Sequence, residues 1–380
     1  MKKILFSVLA GFCLLSSAAA LSWGGVIDNN TKLSANDDFS QTWLTQSNGI
    51  YLSVSSNFTP NLRFAGEGLY KYNLNCDMKE NETDFTNIGD VTLLKLAGEW
   101  TAGDGLISLN AGRYRYSDFS GSVFSQLSDG LYLGYDSQNI QASVYAGYTG
   151  LLNRLNVSMV DNEYDKDDDF YALCPKYVPV TADFSYKGIL DTNTVGLQGA
   201  FFIPVTDKNT MKLYGTLIMN GYIGTFGTYD IKFTAGSEKV DDKFDGLMFD
   251  GKLDTNIYIN TASMVNAGFE YVSGAKGDNI KPFVTLTARS FGGSLYSNSV
   301  MVPKLGLTYA AGKFYGNLTE RVIITMFDDE TKLDGFDTSA SLVYNVFSDL
   351  KLGLDGGAYI CKETKELSNY YATIKASLAF

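Results

Sequence analysis

The sequence predicts an all-β fold. The expected architecture is a transmembrane antiparallel up-and-down β-barrel of about 16 strands, with 18 as the alternative count. Three observations predict it. Segments near ten residues long alternate between apolar and polar side chains. Short turn-like connections alternate with longer polar ones. No apolar run after residue 20 approaches the roughly 20 residues of a membrane helix. Side chains of a strand point to opposite faces with a period of two, so each alternating segment has one greasy face and one wet face.

Residues 1–20 come first because they read as an export signal, to be set aside before folding is considered. Lys2 and Lys3 form the charged start, Ile4 to Leu15 the apolar stretch, and Ser16 to Ala20 the small residues for cleavage. Cys13 is the candidate for a lipoprotein signal, but Phe12 stands where that signal takes a small residue. The remaining unit, 21–380, is a single barrel domain. The full chain has a formal net charge of −12, two more negative once Lys2 and Lys3 have left. Such acidity argues against nucleic acid as a partner, because phosphate contacts need basic patches. The 25 Tyr and 24 Phe against 6 Pro suit pleated, half-buried surfaces.

Seventeen candidate strands follow in order. They begin near Leu21, Gln41, Leu62, Gly89, Gly105, Gly130, Ile140, Thr194 and Met211. The rest begin near Gly251, Val265, Pro282, Met301, Lys313, Phe336, Lys351 and Tyr370. An up-and-down barrel closes with an even number. The conflict lies between Tyr222 and Ala267, where Gly227–Ala235 is a candidate eighteenth strand or two segments merge to give sixteen. Sixteen is the preferred count.

The connections sort into two kinds. Asn57–Asn61, Ala102–Gly105, Thr206–Asn209, Ala311–Lys313 and Ser348–Asp349 are tight turns. Cys76–Asn87, Val157–Asp191 and Gly224–Gly251 read as long loops.

Lipid offers no hydrogen-bond partners, so only closure satisfies every strand's backbone. The apolar faces must then cover the outside, and the polar faces must line a hydrated lumen. Candidate lumen residues are Arg63, Glu67, Lys95, Glu99, Arg289, Asp337 and Asp355, with Lys71, Glu270 and Lys375 beside them. The alternative is that these charges pair across strands and merely fill the lumen. Glu320 is an exception, since it shares parity with Phe314, Leu318, Val322 and Ile324 on the apolar face. A bulge near Thr319 or an interfacial position would accommodate it. Gly112–Leu131 holds two arginines and an acid beside a small-residue loop containing Val123 and Phe124. Arg113, Arg115 and Asp118 are therefore the candidate pore constriction; an ordinary outer loop is the other reading.

Chemistry is limited by a negative fact: the chain has no histidine. Histidine-dependent catalysis and histidine–zinc sites are excluded with it. No catalytic residues, metal ligands or cofactors are expected. The acidic run Asp161–Asp169 lacks the glycine and bidentate glutamate of a calcium loop and reads as a solvated tip. Cys76 and Cys174 lie in polar segments where a disulfide between them, or two free thiols, would fit equally well.

The last eleven residues carry a resemblance. Tyr370, Ala372, Ile374, Ala376, Leu378 and Phe380 fall on one face, and Tyr371, Thr373, Lys375, Ser377 and Ala379 on the other. An exported chain with such a terminal strand resembles the bacterial outer-membrane β-barrels. Thr373, Leu378 and Phe380 match the terminal pattern of that class, while Lys375 stands where glycine is usual. The resemblance implies a protein of the outer membrane of a diderm bacterium, in contact with outer-membrane lipid. Its barrel-assembly machinery would read Leu378 and Phe380. It also implies short turns on the periplasmic side and leaves room for a homo-oligomer.

A porin-like channel passing small hydrophilic solutes through a charged aqueous lumen is the leading expectation. A barrel-anchored adhesin or receptor acting through its long loops is the alternative. A hydrophobic-solute transporter, with 21–48 as a short plug, ranks below both.

Overall fold

The structure is a computed structural model that describes residues 21–149, 177–189, 192–205, 210–240, 243–277, 279–286, 298–327, 330–362 and 368–380. Eighteen strands run through them. They are β1 (Leu21–Asn36), β2 (Thr42–Thr59), β3 (Leu62–Asp77), β4 (Glu82–Ala102), β5 (Gly105–Ser117) and β6 (Ser125–Asp136). Next come β7 (Ile140–Tyr148), β8 (Tyr177–Ile189), β9 (Asn193–Pro204), β10 (Lys212–Ile223), β11 (Gly227–Val240) and β12 (Lys243–Tyr258). The last six are β13 (Ser263–Val272), β14 (Ser299–Ala311), β15 (Phe314–Phe327), β16 (Glu330–Asn345), β17 (Leu350–Cys361) and β18 (Asn369–Ala379).

Each strand pairs antiparallel with its neighbours in sequence, and β1 pairs with β18 to close the cylinder. The seam runs from Val26 opposite Ala379 to Asn36 opposite Asn369. Phe380 extends it by exchanging both backbone hydrogen bonds with Gly25, at 2.9 and 3.0 Å. Closure leaves no strand edge without a partner, which is the condition for a sheet to lie in hydrocarbon.

The count is the higher of the two expected. Gly227–Ala235 is a strand, within β11. A second strand, β8, occupies the end of the stretch read as the loop Val157–Asp191. Its outer set, Val178, Val180, Ala182, Phe184 and Tyr186, alternates with Tyr177, Pro179, Thr181, Asp183 and Ser185. Pro179 weakens the strand signal there, because proline cannot donate to a ladder. In the other direction, 281–286 is not a strand. The stretch Gly224–Gly251 is mostly β11 and β12, and 76–87 is mostly the ends of β3 and β4.

The two rims differ as the turn chemistry implies. At one rim, with both Leu21 and Phe380, eight connections have two to four residues each. Gly103 takes the left-handed conformation (φ 62°) that the tightest of these turns requires. The other rim carries every longer connection, including 149–176 and 273–298.

Outside, the exposed side chains are apolar: Leu131, Leu133, Val144, Phe184, Leu197, Leu217, Ile231 and Phe233 cover one flank. Trp23, Trp100, Tyr135 and Phe380 lie near the short-turn rim. A soluble protein does not expose apolar surface on this scale.

Candidate functional site

The inside of the cylinder divides into an occluded sector and an open one. The occluded sector begins at the connection 118–124, between β5 and β6, which turns into the lumen. Asp118 organises it. Its carboxylate accepts hydrogen bonds from the backbone N–H groups of Ser120 (3.0 Å), Val123 (3.3 Å) and Phe124 (2.7 Å), and from the Ser120 hydroxyl. Its own N–H donates to Phe124 O at 2.9 Å. Phe119 N–H donates to Gln198 Oε1 on β9 at 2.8 Å.

So held, Val123 and Phe124 are fully buried against lumen-facing Tyr177, Ala200, Phe202, Tyr214, Met248 and Val272 of β8 to β13. A second inward segment, 281–286, adds Phe283. Its Leu286 N–H donates to Val123 O at 2.9 Å, and Tyr214 Oη donates to Val284 O at 2.8 Å. A chain of rings runs through the cluster: Phe124 to Phe202 at 5.6 Å, Phe202 to Tyr214 at 5.8 Å, and Tyr214 to Phe283 at 6.0 Å. Beside it, Tyr116 stacks on Tyr145 with centroids 3.7 Å apart. Tyr145 lies so flat on the wall that a Cβ on Gly130 or Gly147 would meet it at 2.6 and 2.2 Å. Those two positions admit only glycine unless the ring moves.

The open sector is charged. A concavity of about 730 Å³ is lined by Arg63, Lys95, Glu99, Asn57, Asn110 and Tyr132, among others. Arg63 has no hydrogen-bonding or ion-pair partner among the described residues, and Lys95 Nζ lies 5.5 Å from the Tyr114 ring centroid. A second concavity of about 310 Å³ is lined by Lys252, Asp254, Glu270, Lys304 and Arg321. There the charges pair along the wall, between neighbouring strands or, for Lys304 and Asp254, over Gly268 of the strand between them. Arg321 bonds Asp337 at 2.5 Å, Lys252 sits 3.7 Å from Glu270, and Lys304 pairs with Asp254. Lys375 pairs with Asp355 further round the wall. These pairs are part-exposed and solvated, so each contributes about 0–1 kcal/mol to stability; their role is to set the field of the wall.

The predicted residues are distributed as follows. Arg63, Lys95 and Glu99 share the larger concavity. Glu67 also faces the lumen and accepts from the Thr92 hydroxyl at 2.6 Å. Asp337 and Asp355 face it as members of ion pairs. Arg289, Cys174 and Asp161–Asp169 lie outside the described residues.

The constriction set splits. Asp118 is inside, at the root of the inturned connection. Arg113 and Arg115 are not: along β5, Leu106, Ser108 and Asn110 line the lumen concavity, so the odd positions point outward. Arg113 holds Asp129 of β6 through two parallel bonds of 3.0 and 2.9 Å, and Arg115 donates to Ser125 O at 3.2 Å. The residues that do narrow the lumen are Val123, Phe124 and Phe283. Parity would have separated them, since Tyr114 and Tyr116 alternate with the two arginines.

Glu320 stays on the outer face. The nearby bulge sits opposite Ile323 and Ile324, beyond it, and Glu320 is bonded across the ladder to the Thr338 hydroxyl. Arg321, Lys304, Asp254 and Lys252 join the candidate lumen residues; the parity opposite to Glu320 was the signal for Arg321.

No family model matches the sequence, and no curated protein matches it significantly. Solved structures do match. Pseudomonas aeruginosa OccK1 (OpdK) aligns with a TM-score of 0.62 at 12% identity, covering 95% of this chain and 98% of that one. The same protein solved with vanillate aligns at 0.62 and 11% identity over 95% and 98%. Acinetobacter baumannii OccAB3 aligns at 0.60 and 11% over 95% and 99%. The likeness is one of fold. It extends over nearly the whole of each chain, to proteins that are outer-membrane porins.

Proposed function

We propose that the chain is an outer-membrane channel through which small hydrophilic solutes pass passively. The observation that carries this reading is the open sector: a continuous charged wall beside an occluded one, inside a cylinder with an apolar exterior. Solutes would be sieved by the gap left beside Val123, Phe124 and Phe283 and guided by the field of the wall. Arg63 and Lys95 are the cations that a solute would meet free of ion-pair partners, which favours anionic solutes along that stretch. A neighbour of the same fold, OpdK, was solved with vanillate, a small carboxylate, which accords with this reading.

In this proposal residues 1–20 direct export and are removed. Leu378 and Phe380 are recognised by the assembly machinery, and the protein resides in the outer membrane of a diderm bacterium. Its work is passage of solutes and not catalysis.

The test is reconstitution of the folded mature chain in a planar bilayer. Steady ohmic openings with a measurable reversal potential in a salt gradient are expected. Electrical silence from a chain shown to be folded and inserted would overturn the channel reading.

A further inference from the structure

Near the short-turn rim the lumen wall carries an uncharged belt. Side chains from five neighbouring strands join in one unbroken series of hydrogen bonds. Thr319 Oγ1 donates to Asn317 Oδ1 at 3.0 Å, and Asn317 Nδ2 donates across from β15 to Thr308 Oγ1 of β14 at 3.1 Å. Thr308 Oγ1 donates to Asn266 Oδ1 of β13 at 2.9 Å, and Asn266 Nδ2 donates to Asn256 Oδ1 of β12. Asn256 Nδ2 donates to Thr228 Oγ1 of β11 at 3.2 Å. Every bond runs in the same sense, and the series ends on a hydroxyl whose own proton is left to donate.

These side chains face the lumen. Asn256 shares parity with Lys252 and Asp254, Asn266 with Glu270, Thr308 with Lys304, and Asn317 with Arg321, all of which line the concavity of about 310 Å³. They also share a depth. Asn256 lies two residues from the short-turn end of its strand, and Asn266, Thr308 and Asn317 lie three from theirs.

The belt uses only part of its bonding capacity. A side-chain amide has two N–H donors and a carbonyl with two lone pairs. Asn256, Asn266 and Asn317 each give one N–H and one lone pair to the belt, and the second N–H of each has no partner among the described residues. All three are half-buried, so the lumen reaches them. Their mutual bonds fix them in place, so a solute that binds does not have to order them. Donor and acceptor stand side by side, which complements a hydroxyl group, itself both donor and acceptor. Neighbouring strands are about 4.8 Å apart, so a molecule with several hydroxyls along its frame can meet Asn256 and Asn266 at once.

Electrostatics point the same way. In the concavity directly above, Lys252 sits 3.7 Å from Glu270, Lys304 pairs with Asp254, and Arg321 bonds Asp337 at 2.5 Å. Each cation there has a carboxylate beside it, unlike Arg63 and Lys95, so this stretch of wall does not select for an ion. Its volume lies at the lower end of the range for small-ligand sites.

We propose that the belt and the concavity above it form a binding site for neutral polyhydroxylated solutes, monosaccharides and sugar alcohols, on their way past the short-turn rim. The proposal names a substrate class for the channel and rests on the channel reading.

The test follows entry of labelled glucose into liposomes that hold the folded mature chain. Planar-bilayer conductance in KCl reports that each barrel is folded and open. Saturable glucose entry, slowed by xylitol and indifferent to glycine betaine, is expected. Asn256→Ala combined with Asn266→Ala should reduce entry at low glucose about five-fold, the effect of losing roughly one neutral hydrogen bond, and make it linear in concentration. Thr308→Val keeps the side-chain shape, breaks two bonds of the belt, and should change entry in the same direction. Linear entry in the wild-type chain, indifferent to xylitol, overturns the polyol site and leaves the channel reading intact. Saturable entry that both variants leave unchanged also overturns the belt as the site. A folded, inserted chain that passes neither KCl nor glucose overturns the channel reading and this proposal together.

Discussion

The two sectors of the lumen are built from the same alternating strands, yet they differ in what their inner faces meet. Toward the long-connection rim of β8 to β13 the inward side chains include Tyr177, Phe202, Tyr214, Met248 and Val272, and two rim connections fold down to bury them. From β14 round to β4 they are Lys304, Arg321, Asp337, Asp355, Arg63 and Lys95, and they meet water. Apolar inner side chains require a cover, so the chain supplies one. Charged inner side chains pair along the wall or, like Arg63 and Lys95, stay hydrated, and require none. The difference teaches that the width of this lumen is set by chain folded into it, and strand number fixes only the upper limit.

Removing the cover tests this contrast most severely. Deleting 119–123 should raise single-channel conductance about two-fold, because the occluded sector becomes part of the path. Unchanged conductance would mean that both sectors conduct already. Phe202→Ala comes next. It removes a fully buried ring from the centre of the cluster and should destabilise the folded barrel by about 3–5 kcal/mol in denaturant titrations. A matched change in the open sector, Arg321→Gln, should cost roughly 1 kcal/mol or less, since its pair is part-exposed.

Selectivity sharpens the open side of the comparison. Arg63→Glu combined with Lys95→Glu should move the reversal potential in a salt gradient toward cations. The smallest effect is expected from Arg113→Gln. It breaks the pair with Asp129 on the outer face and should leave selectivity unchanged. A shift as large as that of the Arg63 and Lys95 pair would return Arg113 to the lumen.

How much of this was legible before folding depends on the distance over which each feature is decided. Strand parity is local. Tyr370 to Phe380 shows its two faces within eleven residues, and the same rule places Arg63, Lys95, Glu99, Asp337 and Asp355 inside. The same rule, applied to Gly112–Tyr116, would have sent Arg113 and Arg115 outward. Along β5 the two-residue period, and not charge, sets the face. β8 was hidden because Pro179 and a polar inner set resemble a loop. The stretch 281–286 looked like a strand because its residues are apolar enough for one, though it packs in the interior where burial comes from all sides.

The sequence by itself determined that strands alternate, that they must close, that one rim carries short turns, and that charge lines part of the lumen. Each follows from a two-residue period and from the absence of hydrogen-bond partners in lipid. Only the tertiary structure decided which part of the lumen is open. That depends on Val123 meeting Leu286, and Phe119 meeting Gln198, across a cylinder whose walls bring distant stretches of chain together. No local pattern encodes such contacts, because they exist only once the barrel has closed around them.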